Sequence, residues 1–197
     1  MADPATLAPP AAAPRDWDIA ADWWRALQDR TPDGQPNRSA DRAARARLRR
    51  ADGPLTAAEP AVLRLYRMLG GEGWNDRRMA TAVRLALVLA HVREEIRAAE
   101  GGFAPSFARA LGPTVFGGDD ALLKPLRLRA LLAAREEVDV VRRFRRAVAL
   151  AGGRANVRDL ARVLILWDRD ETRTRFAFDY FGAGAAAPAP EPTAAAL

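Results

Sequence analysis

Cysteine is absent from the chain, so disulfides, thiolate ligands and a thiol nucleophile are excluded. Histidine occurs once, as His91, and serine twice, as Ser39 and Ser106. Both serines precede helical patterns, where a hydroxyl serves as a cap, and a lone histidine inside an apolar helix reads as a core residue. No HExxH, no P-loop and no paired metal-ligand spacing occurs. Acids at Glu94–Glu95, Glu136–Glu137 and Asp168–Glu171 fall at helix ends or on polar faces. A two-metal nuclease built from scattered acids is the minor catalytic alternative; the main reading is no enzyme, no cofactor and no metal. No apolar run is long enough for a bilayer, and no basic start is followed by a long apolar stretch, so neither a membrane partner nor a signal peptide is expected. The chain reads as soluble and cytoplasmic.

Lysine is also nearly missing: of 31 Lys and Arg residues only Lys124 is lysine. Formal net charge is +6 and the pI about 10.9. Arginine carries a planar fork that matches phosphate, although a GC-rich genome also produces Ala- and Arg-rich chains. The acidic partner implied is nucleic acid, an anionic membrane surface or an acidic protein. Hydrophobic content of 49% in a chain of 197 residues suffices for a folded core.

Residues 1–15 and 183–197 are Ala/Pro-rich and are expected to be disordered tails. Between them the periodicity is helical throughout, with no useful strand alternation. Asp16 opens a helix to about Asp29 with a stripe of Trp17, Ala20, Trp24 and Leu27. Ser39 caps a basic helix ending at Arg50. Thr56 and Glu59 have capping-box spacing before Pro60. The glycines at 70, 71 and 73 read as a turn, since the strand and GK[ST] of a phosphate cradle are missing. Asn75 caps a long helix to about Ala99, and Trp74 is expected to fold back on its core. Ser106 caps a short helix, and Asp119–Asp120 read as a cap with its dipole partner. Pro125 opens another helix, Asn156 and Asp159 start the next, and a last one begins near Asp170 with Phe176, Tyr180 and Phe181 inward. The expected architecture is all-α, as two successive small helical bundles, 16–102 and 103–182.

The stretch LRLRALLAAREEVDVVRRFRRAVAL, residues 126–150, is the most distinctive. In its second half Val138, Val141, Phe144, Val148 and Ala151 line one helical face. Arg142 and Arg146 point away from that stripe, with Arg143 and Arg145 flanking it. One helical turn separates the outward pair by roughly 6 Å, close to the spacing of successive phosphates. With no aromatic among the basic clusters on an outward face, backbone tracking is expected rather than base stacking.

Seven segments carry a resemblance by their order and spacing. They are Trp23-Trp24-Arg25-Ala26-Leu27; Ala46-Arg47-Leu48-Arg49-Arg50 followed by Pro60 and Leu65-Tyr66; and Gly73–Trp74. Then come Ser106-Phe107-Ala108-Arg109-Ala110-Leu111, Phe144-Arg145-Arg146, Leu164-Ile165-Leu166-Trp167 and Asp179-Tyr180-Phe181. From Trp17 to Phe181 the chain resembles the CasB family, the small subunit of the type I-E CRISPR Cascade surveillance complex. That resemblance implies an all-helical, non-catalytic subunit without cofactor, acting in antiviral defence. Its implied partners are other Cascade subunits, a second copy of itself, CRISPR RNA and target DNA, whose displaced strand it contacts. The family's basic surface maps onto Arg49, Arg50, Arg127, Arg145 and Arg146; the helical phase adds Arg142 and Arg143. The alternatives are a free-standing helix-turn-helix regulator and a helical protein–protein adaptor.

Overall fold

Six of the nine described α-helices begin at a short polar cap or a proline. In a computed structural model describing residues 14–30, 35–37, 40–98, 102–115 and 117–182, Asn75 accepts a hydrogen bond from the Arg78 amide (3.1 Å). Ser106 accepts from Arg109 (3.2 Å) and Asn156 from Asp159 (3.1 Å). Each side-chain oxygen satisfies an amide that the first turn leaves orphaned. The described elements are α1 (Asp16–Ala26), α2 (Arg42–Arg50), a 3₁₀ turn (Gly53–Ala58), α3 (Pro60–Met68), α4 (Asp76–Leu89) and β1 (Glu94–Glu95). They continue with α5 (Phe107–Leu111), α6 (Pro125–Ala133), α7 (Glu137–Leu150), β2 (Arg154–Ala155), α8 (Val157–Ile165) and α9 (Asp170–Tyr180). The fold is mostly α, and no described helix is long and apolar enough to cross a membrane. Ser39 and most of both tails lie outside the described residues; Asp41 caps α2, accepting from Ala44 (2.8 Å).

Several expectations are corrected. The helix from Asn75 stops at Leu89, ten residues short of Ala99. Beyond it the Arg93 and Glu94 amides donate to Gly153 (2.7 and 3.2 Å), and the Ile96 amide donates to Ala155 (2.8 Å). This makes a short parallel pair, Glu94 opposite Arg154 and Glu95 opposite Ala155. Tertiary backbone partners thus replace the helical ones. Gly153 permits the approach, because its φ is +80° and a Cβ there would meet Arg93 at 3.2 Å. Thr56 and Glu59 form no capping box. Pro60 takes the first helical position and holds Glu59 extended (φ −75°, ψ 124°), and Thr56 is buried in the preceding 3₁₀ turn. Trp74 is 91% exposed rather than folded back. Val138 is 70% exposed, one residue into α7, and Val140 takes its place in the core. Phe181 is exposed past the end of α9. Asp119 and Asp120 cap no helix: Asp119 pairs with Lys124 (2.9 Å), and Asp120 accepts the Thr114 amide (3.1 Å).

The core is centred on α4, whose Ala82, Leu85, Ala86, Val88 and Leu89 are fully buried. Helix α4 packs on α3, α7 and α8, while α1 packs on α8, α5 on α9, and α6 on α7 and α9. The helices of 16–102 and 103–182 therefore share one core. At its far end Phe144, Trp167 and Phe176 meet edge to face, with centroids 4.8, 5.6 and 6.2 Å apart.

Two arginines are buried among the described residues, Arg84 and Arg173, and the first ties helices together. Arg84, on α4, has a side chain 6% exposed. It forks onto Glu137 of α7 (Nη2–Oε2 2.6 Å, Nε–Oε1 2.8 Å), reaches Asp168 (3.3 Å) and donates to the Leu164 carbonyl of α8 (2.8 Å). A single guanidinium thereby joins three helices.

Candidate nucleic-acid interface

Helix α2 has little apolar surface, with only Ala44 and Leu48 buried. Its arginines supply the rest of its attachment. Arg49 Nε donates to the Ala90 carbonyl (2.7 Å), just past the end of α4. From α7, Arg145 Nε donates to Leu87 (3.1 Å) and its Nη2 to Ala51 (2.8 Å). Leu87 lies in the last turn of α4 and Ala90 is its C-cap; carbonyls there lack helical partners and carry the negative end of the dipole. Cations belong there. Because Arg145 reaches the residue following Arg50, the middle of α7 and the end of α2 lie side by side.

Further cations join them. His91 Nδ1 lies 3.0 Å from the same Leu87 carbonyl. Burial, and then the charges of Arg145, Arg49 and Arg93, hold its pKa below the ordinary histidine value. Burial likewise lowers the Arg49 pKa, with Arg45 and Arg93 adding like charge. Arg45 is tied to Gln28 Oε1 (2.6 Å), and Arg93 is exposed with no side-chain partner among the described residues. Sequence reasoning missed His91 and Arg93 as members of this cluster, because the extended helix drawn through both hid their place just past the end of α4.

On α7 the exposed pair is Arg142 and Arg146, with Arg143 and Arg145 half-buried to either side. Arg143 Nε bonds Asp139 Oδ2 (2.7 Å), and Arg142 bonds the other oxygen of the same carboxylate. Among the described residues the side chains of Arg146 and of Arg50 have no partner, and both are exposed. Arg127 is exposed on α6, and its side chain has no ion pair or hydrogen bond among the described residues. The seven arginines singled out in the sequence are therefore of three kinds: Arg49 and Arg145 bound to backbone, Arg142 and Arg143 bound to Asp139, and Arg50, Arg127 and Arg146 open.

Beside this surface, α4, the 3₁₀ turn and α7 enclose a cavity of about 500 Å³, walled by Met79, Val83, Leu87 and Val141 with Arg142 and Arg145 at its edge. Among the described residues no group of three or more His, Asp or Glu side chains is placed to hold a metal ion.

A family model described as CRISPR-associated protein Cse2 matches residues 44–181, more than half of the chain. The match begins within α2, runs through α9, and takes in all seven arginines singled out in the sequence. No curated protein and no solved structure matches.

Proposed function

The chain belongs to the CRISPR-associated Cse2 (CasB) family of type I-E Cascade, and on that premise we propose that it is a non-catalytic structural subunit that grips nucleic-acid backbone. The strand it holds is the displaced, non-target DNA of the guide RNA–target assembly. In such complexes base pairing reads sequence, and protein contributes electrostatic hold on phosphates. The observation that carries this reading is the junction of α2 and α7 at the end of α4. There, open Arg50 and Arg146 flank a group of anchored cations. The anchored arginines raise the local positive potential; the open ones are available to phosphate. Its partners are then CRISPR RNA, target DNA, other Cascade subunits and a second copy of the chain.

The geometry disfavours a helix-turn-helix regulator. The helix following α7 is α8, which packs on α1 and α4 and buries Val157, Leu160, Ala161, Val163 and Leu164. The exposed basic residue left on α8, Arg158, is paired with Asp18 (2.5 Å), which leaves little to offer a major groove.

The test uses the double variant Arg50→Gln/Arg146→Gln with random-sequence single-stranded DNA over a salt series. The expected result is an unchanged fold, weaker binding and a log K against log salt slope shallower by about 0.7 for each lost contact. Wild-type affinity and slope in the folded double variant would overturn the assignment.

A further inference from the structure

We propose that Asp139 is a built-in competitor for phosphate: its carboxylate occupies the forks of Arg142 and Arg143 and so sets how strongly α7 holds a strand. This rests on the nucleic-acid reading above and adds an internal device that tunes it.

Asp139 precedes Arg142 by three residues and Arg143 by four, so all three share one face of α7. Both oxygens are used, one by each guanidinium, with Arg143 Nε at 2.7 Å. The two arginines thus present to a carboxylate the donors they would present to a phosphate. Asp139 belongs to α7's first turn, where the helix dipole favours an anion, and the two arginines hold its carboxyl pKa below the usual range. It is therefore charged at neutral pH. The pair is not locked away. Arg142 is 74% exposed and Asp139 25% exposed, and an ion pair in such a setting is weak enough to exchange. Arg146, one turn further on, is open and can take the first phosphate without competition. Binding then proceeds by exchange: a phosphate arriving beside Arg146 displaces the Asp139 carboxylate from Arg142, while Arg143, 34% exposed, keeps it. Asp139 consequently lowers affinity and lowers the number of counterions released when a strand binds.

The experiment compares full-length wild type, Asp139→Asn and Asp139→Ser. Each is checked for folding by thermal unfolding and titrated with random-sequence single-stranded DNA over a salt series. Two further proteins are needed. Glu72→Gln removes one exposed acid from the turn after α3, and Asp139→Asn in an Arg142→Gln/Arg143→Gln background removes the acid without the forks. The expected result is severalfold tighter binding at low salt for either Asp139 variant, with the slope steeper by up to about 0.7 per released arginine. Glu72→Gln should gain less, and the gain should vanish in the double-Gln background. Wild-type affinity and slope in a folded Asp139 variant would overturn the inference, as would a gain that survives loss of both arginines. If wild type and all variants fail to bind at any salt, the nucleic-acid reading itself falls, and this inference with it.

Discussion

Helices α2 and α7 carry the two densest arginine runs in the chain, yet they are held in opposite ways. Helix α2 buries two small or medium side chains, and four of its arginines have fixed partners: Arg42 with Asp29 (2.8 Å), Arg45 with Gln28, Arg47 with Glu59 (2.9 Å) and Arg49 with Ala90. Its charge is its attachment. Helix α7 buries Val140, Val141, Phe144, Ala147 and Val148, an apolar stripe to which Glu137 adds the ion pair with Arg84. Its charge is surplus, and one surplus arginine, Arg145, is used to hold the end of α2. Arginine density therefore says little about binding surface. What matters is how many guanidiniums remain after intramolecular partners are counted, and in each helix that leaves one: Arg50 and Arg146.

This contrast breaks first at the apolar stripe of α7. Phe144→Ala removes a fully buried ring from the Trp167–Phe176 cluster and should cost about 3–5 kcal/mol in chemical unfolding. Next, Arg84→Met leaves Glu137 and Asp168 without their cation. Because both acids are partly open to water, a loss of about 1–3 kcal/mol is expected rather than the full cost of a buried orphan charge. Arg145→Ala strips a donor from two backbone carbonyls and should cost about 1–2 kcal/mol.

The pH dependence is a finer probe. His91 has a folded pKa below its unfolded value of about 6.5, so below that pH the unfolded chain binds a proton that the folded chain refuses. Stability should be complete above about 6.5 and fall on acidification, and His91→Asn should flatten that part of a melting-temperature profile. Arg146→Ala should give the smallest change, with no measurable shift in melting temperature but a shallower salt slope for single strands. A stability loss as large as that of Arg145→Ala would erase the distinction between anchored and open arginines.

Much of the fold is legible in the sequence because it is local. Caps at Asn75, Ser106 and Asn156 act within three residues, and the stripe through Val141, Phe144 and Val148 repeats within one helix. The outward placement of Arg142 and Arg146 follows from the same phase. What the sequence hides is non-local or lies in the backbone. The end of α4 is set by the carbonyls of Gly153 and Ala155, some sixty residues downstream. Arg84 sits in a run otherwise apolar, and nothing near it announces Glu137 or Asp168. Arg49 and Arg145 look like free charges because their acceptors are carbonyl groups, which every residue possesses and no motif marks. The role of Asp139 is visible only once its two oxygens are seen divided between two neighbours.

The packing of α1 against α8 has a consequence during synthesis. The first helix leaves the ribosome well over a hundred residues before the helix that covers it, a delay on the order of ten seconds at ordinary elongation rates. Through that interval one face of a tryptophan-bearing segment has no permanent cover. So distant a pairing also raises contact order above that of a simple up-and-down bundle, which should slow folding relative to other helical chains of this size. The newborn polypeptide is thus a natural client for whatever chaperone waits at the exit tunnel.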